Sequence, residues 1–150
     1  MTLETTILIQ REPGTDDLPL PVYATSGSAG MDLFACVTSD VTIMPGAREL
    51  ISTGIRAAIP EGLEGQVRPR SGLALRHGIS MVNNPGTIDS DYRGIIKVIL
   101  INHGDEPFTI HRGDRIAQLV IAPVARAVLV ETDDLPETAR SDGGFGHTGV

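Results

Sequence analysis

Short runs of apolar, mostly β-branched residues alternate with turn-forming sequences along most of the chain. The turns include Asn84-Pro85-Gly86 and Arg112-Gly113-Asp114. The apolar runs between turns predict strands over residues 5–9, 41–44, 95–101 and 116–121. Many short strands separated by turns are typical of a β-sandwich, a jelly roll or a barrel-like domain. The pattern therefore predicts an all-β fold.

Helical periodicity is weak. No stretch keeps a 3.6-residue period for more than about three turns, so helix should be a minor component. One short helical turn is predicted at residues 71–76, with Ser71 as its N-cap. The 150 residues contain no evident repeat or linker, which fits a single domain.

The run at residues 95–101 is almost continuously apolar, as expected for a strand that is buried on both faces. Two explanations remain open at this point. The strand is either the central strand of a sandwich, or its second face is covered by another subunit.

Composition limits both the residues of the core and the binding partners. Hydrophobic residues make up 41% of the chain but aromatic residues only 3%, so the core must consist of Val, Ile, Leu and Ala. The net charge of −7 argues against nucleic acid as a partner. The same charge would repel a nucleotide, which would therefore need a local cationic pocket and a metal ion.

The single cysteine, Cys36, excludes an intrachain disulfide, and no Cys/His spacing suggests zinc. No basic region followed by an apolar run marks a signal peptide, and the apolar stretches are too short to span a bilayer. We therefore expect a cytoplasmic protein without a membrane partner.

Two segments combine residues that carry chemistry. Arg70, Ser71 and Gly72 at a helix start offer a guanidinium, a hydroxyl and backbone N–H groups, which suit a phosphate site. The alternative is an ordinary helix cap beside an exposed arginine. Further on, Asp89 and Asp91 are spaced to share a strand face, where a carboxylate pair could bind metal or activate water. The alternative is that both only make turn hydrogen bonds.

Two isolated polar side chains give weaker signals. Strand alternation places Gln118 on the face of Ile116 and Val120, where an amide needs partners or contacts a ligand. Asp32 is a lone carboxylate that follows a glycine-containing turn.

The C-terminal tail differs from the rest of the chain. It is acidic from Asp133 and then rich in glycine, a composition typical of a mobile arm. Within it, Phe145 suits stacking on a flat ring and Arg140 suits a terminal phosphate. The alternative is that Phe145 anchors the tail to its own domain.

Taken in order, five segments resemble the five motifs of the homotrimeric dUTPases. They are AGMDL (29–33), RSGLA (70–74), NNPGTIDSDYRG (83–94), GDRIAQ (113–118) and RSDGGFGHTG (140–149). Each segment alone is weak, but five in the right order and spacing over essentially the whole chain are highly specific.

The resemblance implies an all-β, sandwich- or jelly-roll-like subunit of the β-clip type, with one short helix, that forms a homotrimer. Residues 1–135 would form the core, and residues 136–150 a flexible arm. In the family, one subunit supplies the first, second and fourth motifs, a neighbour supplies the third, and the remaining subunit supplies the arm. The implied reaction is hydrolysis of dUTP to dUMP and pyrophosphate with Mg²⁺, which limits uracil incorporation into DNA and supplies dUMP for thymidylate synthesis.

The resemblance also implies roles in base recognition and catalysis. Asp89 resembles the base that deprotonates the water attacking the α-phosphorus. Asn83 resembles the residue that pairs with uracil, together with the backbone of Gly86, Thr87 and Ile88. Tyr92 resembles the ring beneath the deoxyribose, where a 2′-hydroxyl would clash.

The remaining implied roles concern the triphosphate and the arm. The residues that resemble phosphate contacts are Arg70, Ser71, Gly72 and Gln118. Asp32 resembles the carboxylate that holds Mg²⁺-bound water, with the ion held mainly by substrate phosphates. In the arm, Arg140 resembles the γ-phosphate cation, Phe145 resembles the ring that closes over uracil, and Gly146 resembles a further substrate contact.

The arm departs from the family pattern at two positions, with Ser141 in place of the usual Gly and His147 where Ser or Thr is frequent. Two rival functions are also open: a dCTP deaminase of the same superfamily, possibly bifunctional, and a catalytically silent nucleotide-binding β-trimer. The intact Asp89 and the complete second and third motifs favour the dUTPase.

Overall fold

The short apolar runs form an antiparallel β-structure, seen here in a computed structural model that describes residues 4–145. The strands are β1 (Leu8–Arg11), β2 (Gly30–Phe34), β3 (Val41–Ile43), β4 (Arg48–Ser52), β5 (Ile55–Ala58), β6 (Leu63–Arg68), β7 (Ile79–Met81), β8 (Gly86–Ile88), β9 (Lys97–Asn102), β10 (Phe108–Ile110) and β11 (Arg115–Pro123). The helix α1 spans Ser71–His77. The predicted all-β class with one short helix is confirmed.

Every strand pairing is antiparallel. One sheet has the order β2-β11-β6-β8 and a second has the order β4-β9-β7, and two strand pairs, β1-β5 and β10-β3, complete the fold. The core between them is aliphatic, as the composition requires. Its fully buried side chains include Leu33, Ile43, Ile96, Leu100 and Leu119.

The helix was placed correctly, but its predicted cap is wrong. Arg70, with φ −101° and ψ 128°, is the extended N-cap residue, and no side chain caps the helix. Ser71 is the first helical residue, so its hydroxyl lies one position too late to cap the first turn. In this chain the serine is therefore free of a capping role and is exposed at the surface.

The apolar run at residues 95–101 becomes β9, the central strand between β4 and β7. Val98 and Leu100 are fully buried on its core face, whereas Ile99 and Ile101 on the other face are only half-buried. Leu50, the β4 residue opposite Ile99, is 57% exposed. The chain's own fold thus covers one face of this sheet and leaves an apolar strip on the other.

The turn that leads into β11 is tied to the N-terminal loop by one arginine. Both nitrogens of the Arg112 fork lie 2.8 Å from the carboxylate oxygens of Asp17, and Nη2 also donates to the Gly14 carbonyl at 2.8 Å. The hydrogen bond from Arg112 holds the pKa of the Asp17 carboxyl below its ordinary value and raises the pKa of Arg112. The pair stabilises the fold above the unfolded pKa of Asp, about 3.9, and this contribution disappears as the pH falls through the lower folded-state pKa.

Regular structure ends at Pro123, and residues 124–142 are exposed. Three consecutive apolar side chains in this segment, Val128, Leu129 and Val130, are between 81% and 92% exposed. The segment without strands therefore starts before the predicted arm at residue 136, and that boundary stays a prediction. In the described part of the chain, no helix is long and apolar enough to cross a membrane.

Candidate active site

The first, second and fourth motif segments meet at one end of the β2-β11-β6 sheet. In the register of this sheet, Gln118 of β11 lies between Asp32 of β2 and Arg68 of β6. Arg70 follows β6 by two residues and begins the turn into α1. As a result, a cavity of about 350 Å³ is lined by the five residues outside the arm that are predicted for phosphate and metal contacts: Asp32, Arg70, Ser71, Gly72 and Gln118.

Two guanidinium groups surround the carboxylate in this cavity. Arg70 Nε lies 3.2 Å from Asp32 Oδ1, and Arg115 Nη1 lies 3.4 Å from Asp32 Oδ2. Arg70 also donates to the Arg115 carbonyl at 3.3 Å. Arg68 also lines the cavity, so three cations and one carboxylate supply the local positive charge that the net charge of −7 made necessary.

Arg115 was missed by the sequence analysis, although it stands inside the quoted GDRIAQ segment. The available signal was a second arginine three residues before Gln118, in a segment already assigned to phosphate binding. Lys97, the only lysine of the chain, was missed as well, and it lines the other cavity described below.

The amide of Gln118 is held in a fixed position. Its Nε2 donates to the Pro69 carbonyl at 3.0 Å, which satisfies the donor and leaves the side chain along the cavity wall. Gly30 makes room for it, because a Cβ at this position would lie 2.3 Å from Gln118 Oε1. Gln118 is therefore satisfied by its own chain and also lines the cavity, and its contact with a ligand stays a prediction.

The third motif segment forms a second cavity of about 300 Å³. It is lined by all six predicted residues of that segment: Asn83, Gly86, Thr87, Ile88, Asp89 and Tyr92. Asn83 packs over β8, since a Cβ at Gly86 would lie 3.2 Å from Asn83 Nδ2. The Tyr92 hydroxyl donates to the Ile95 carbonyl at 3.0 Å, which folds the ring back over Gly94.

The prediction that Asp89 and Asp91 share a strand face is wrong. The strand β8 ends at Ile88, and the Tyr92 N–H donates to the Asp89 carbonyl at 3.1 Å, so both carboxylates lie in a turn. Only Asp89 lines the 300 Å³ cavity with Asn83 and Tyr92. Of the two carboxylates, Asp89 alone is thus placed beside the other predicted residues of the third motif.

The two cavities have no lining residue in common. Within one chain, the residues predicted for the phosphates and those predicted for the nucleoside are consequently brought together as two separate groups. The described arm residues, 136–145, line neither cavity. Arg140 donates to the Gly143 carbonyl at 2.8 Å within a local turn, and Phe145 is fully exposed. Gly146 and His147 lie outside the described residues.

The departure at Ser141 coincides with an unusual backbone conformation. Ser141 has φ +48°, in the left-handed region that favours glycine. Its N–H donates to the Thr138 carbonyl at 3.1 Å. The arm thus keeps, with a serine, the conformation for which glycine is the unstrained residue.

The donor set bears on the predicted Mg²⁺ ion. No cluster of three or more His, Cys, Asp or Glu side chains that could hold a metal occurs among residues 4–145. The cavity offers the single carboxylate of Asp32, whose two oxygens face arginines. These residues fit an ion that keeps its waters and is held mainly by substrate phosphates, since Mg²⁺ is commonly bound in that way.

Comparison with known proteins shows the family of this chain. The dUTPase family model matches residues 16–149. The chain belongs to the dUTPase family. Among curated members, the deoxyuridine 5'-triphosphate nucleotidohydrolase of Syntrophotalea carbinolica is 62% identical over 130 residues, which cover 87% of this chain and 88% of the relative. The protein of the same name from Methylocella silvestris is 60% identical over 147 residues, covering 97% and 92%.

Solved structures of dUTPases share the fold. A dUTPase of Staphylococcus bacteriophage 80alpha with dUpNHpp has a TM-score of 0.86 at 24% identity, covering 98% of this chain and 100% of that chain. A mutant dUTPase from phage phi11 of S. aureus, described for the coordination of a structural Mg(II) ion, has a TM-score of 0.76 at 22% identity, covering 87% and 98%. At these identities the likeness supports the fold assignment.

Proposed function

We propose that this protein hydrolyses dUTP to dUMP and pyrophosphate in the cytoplasm, which limits uracil in DNA and supplies dUMP for thymidylate synthesis. The observation that carries the proposal is the sorting of the predicted site residues. One cavity collects the residues suited to a triphosphate, and the other collects those suited to a deoxyuridine and its catalytic base. The relatives named as dUTP hydrolases at about 60% identity support the same substrate.

The first cavity would bind the phosphate chain. Arg70 offers a planar fork matched to phosphate oxygens, Ser71 offers a hydroxyl, and the first N–H groups of α1 have no partner within the helix. Gln118 adds an amide at the cavity wall. When bound, Mg²⁺ would neutralise charge on the phosphate oxygens, and Asp32 would hold a water of the ion, exchanging contacts with Arg70 and Arg115 for that water.

The second cavity would bind the nucleoside. The Asn83 amide and the backbone of Gly86, Thr87 and Ile88 would pair with the uracil edge, and a close fit at C5 would exclude the thymine methyl group. Cytosine would be rejected more strongly, because its amine mismatches the donors and acceptors. The Tyr92 ring, held by the Ile95 carbonyl, would lie against the sugar and exclude a 2′-hydroxyl.

Asp89 would act as the general base. It lines the nucleoside cavity and is exposed enough to contact a water molecule, whose proton a carboxylate oxygen can accept. The deprotonated water would attack the α-phosphorus, pyrophosphate would leave, and the proton would rest on the Asp89 carboxylate until it is released to solvent.

A complete site then requires more than one copy of the chain. Since the two cavities are separate within a chain, we infer a homotrimer in which one subunit's first cavity meets another's second cavity, and a third subunit supplies Arg140, Phe145 and Gly146. The half-buried face of β9 and the exposed side chains of Val128 to Val130 are apolar surfaces suited to subunit contacts.

The position of attack has a direct isotopic test. Hydrolysis in ¹⁸O-labelled water should place the label in dUMP and leave pyrophosphate unlabelled, because the attacked phosphorus is the α-phosphorus. Mass spectrometry of both products distinguishes the possibilities. Label in pyrophosphate would contradict attack at the α-phosphorus while leaving the overall reaction intact.

A second prediction concerns the space beside Gln118. Gly30→Ala places a Cβ 2.3 Å from Gln118 Oε1 and must displace the amide from the Pro69 carbonyl. We expect kcat/KM for dUTP to fall about tenfold, the equivalent of one lost hydrogen bond of about 1–2 kcal/mol.

The matched control for this variant is Gly27→Ala, three residues earlier in the loop before β2, where an added Cβ meets nothing within 4 Å. Steady-state kinetics on both variants should separate them. Equal activities of the two variants would contradict a role for the Gln118 position.

A further inference from the structure

An ion pair outside all five motif segments holds the turn that carries Tyr92. Arg56 of β5 donates from Nε to Glu12 Oε1 at 2.6 Å and from Nη1 to the Arg93 carbonyl at 3.0 Å. One guanidinium thus connects the N-terminal segment with the turn between Asp89 and Gly94. We refer to Glu12, Arg56 and the Arg93 carbonyl as the bracket.

The N-terminal end of the bracket is itself fixed. The Glu12 N–H donates to the Gly54 carbonyl at 2.8 Å, and the Thr15 hydroxyl donates to the Glu12 carbonyl at 2.8 Å. Arg56 lies in the β1-β5 pair, opposite Gln10. The guanidinium is therefore oriented from two strands before it reaches the turn.

The turn needs such support because of its glycine. The Tyr92 ring lies so close to Gly94 that a Cβ there would come within 2.2 Å of its hydroxyl oxygen, so only glycine fits. Glycine also leaves the Arg93–Gly94 peptide free to rotate, because many backbone conformations are accessible to it. The Arg93 side chain closes the other half of the turn, donating from Nη1 to the Ser90 carbonyl at 2.7 Å and to the Tyr92 carbonyl at 2.9 Å.

The direction of the Arg93 carbonyl therefore decides where Gly94 lies, and Gly94 is the surface against which the Tyr92 ring packs. Immediately beyond it, the Ile96 N–H donates to the Ile55 carbonyl at 2.9 Å, so the strand that carries Arg56 also fixes the far end of the turn. The Arg93–Gly94 peptide in between is the part of the turn that Arg56 contacts.

We propose that Arg56, oriented by Glu12, is a positioning residue that holds the Tyr92 ring in the nucleoside cavity through the Arg93–Gly94 peptide, and so sets the preference for 2′-deoxyribose. The inference rests on the proposed function. It assigns a specificity role to Arg56, which lines neither the phosphate cavity nor the nucleoside cavity.

The test compares Arg56→Ala with Arg11→Ala. Arg11 lies on the neighbouring strand β1 and holds the carbonyls of Thr15 and Leu18, at 2.9 Å and 2.7 Å, but does not contact the turn. For Arg56→Ala, we expect the ratio of kcat/KM for dUTP over UTP to fall about tenfold, because a displaced ring no longer excludes the 2′-hydroxyl. For Arg11→Ala, the ratio should equal that of the wild type.

Hydrogen exchange gives a readout that does not depend on the reaction. Peptides spanning residues 89–96 should exchange faster in Arg56→Ala, and peptides spanning residues 12–18 should do so in Arg11→Ala. Glu12→Gln removes the charge that orients Arg56 but leaves its side chain, so it should show the same changes as Arg56→Ala at smaller amplitude. It also serves as the working variant if Arg56→Ala does not fold.

The outcomes separate the two proposals. Wild-type protein that does not hydrolyse dUTP would overturn the proposed function. Wild-type turnover with an unchanged dUTP/UTP ratio in Arg56→Ala and Glu12→Gln would overturn the role of Arg56 alone. Equal loss of the ratio in Arg11→Ala would also overturn it, because a general loss of stability would then explain the effect.

Discussion

An Asp89→Asn variant is expected to lose nearly all turnover of dUTP while it still binds the nucleotide. The amide keeps the shape of the side chain at the end of the nucleoside cavity but cannot accept the proton of the attacking water. General-base catalysis contributes about 10²–10⁴-fold to a rate, so kcat should fall by at least that range. Steady-state kinetics measure the loss, and calorimetric titration with the analogue dUpNHpp measures the retained affinity.

The matched control is Asp91→Asn, two residues along the same turn. Asp91 is exposed like Asp89 but does not line the cavity of Asn83 and Tyr92. It should keep near-normal kcat, because it lies outside that cavity. Both variants remove one negative charge from the turn, so a difference in kcat between them does not come from the charge alone. Near-normal kcat in Asp89→Asn, or an equal loss in both, would contradict the assignment of the base.

Truncation after Ala139 is expected to reduce turnover severely without unfolding the protein. The deletion removes Arg140 and Phe145, which are proposed to contact the γ-phosphate and the uracil. In the described residues 140–145 the hydrogen bonds are local, from Arg140 to Gly143 and from Ser141 to Thr138, so these residues contribute no hydrogen bond to the core. Loss of a charged contact and a stacked ring predicts a fall of about 10²–10³-fold in kcat/KM.

Two controls accompany the truncated protein: a check of its folding and assembly, and a full-length variant. The melting temperature and the oligomeric state by light scattering should match those of the full chain, because residues 124–139 remain. The full-length Glu137→Gln variant, altered at an exposed position just before the deletion, should be fully active. A truncated protein with normal turnover would remove the arm from the proposed site.

The fold class could be predicted because local pattern and tertiary structure agree. Alternating apolar runs and turns define the antiparallel strands, and the apolar run at 95–101 belongs to the central strand β9. Strand ends were less predictable, since Ile95 and Ile96 continue the apolar run but lie before β9 begins. Ile96 instead exchanges hydrogen bonds with Ile55 and Thr53 of other elements, which no local pattern contains.

Candidate site residues were predictable where they lie within the motif segments. The structure brings Asp32, Arg70 and Gln118 together because β2 and β6 both pair with β11, and Arg70 follows β6 by two residues. Their roles, and those of Asp89 and Tyr92, stay predictions. Arg56 was not predictable, because its importance rests on one carbonyl 37 residues away in sequence. Contacts of that kind follow from strand pairing and side-chain direction, which a sequence pattern does not specify.

The most direct test of the proposed function is a substrate panel of dUTP, dTTP, dCTP and UTP with Mg²⁺, in which the release of pyrophosphate and of ammonia is measured. The proposed function predicts rapid pyrophosphate release from dUTP, little from the other three nucleotides, and no ammonia from dCTP. Ammonia release from dCTP would instead indicate a deaminase, and tight dUTP binding without pyrophosphate release would indicate a silent binding protein. Either result would contradict the proposal that this chain is a dUTP-specific pyrophosphohydrolase.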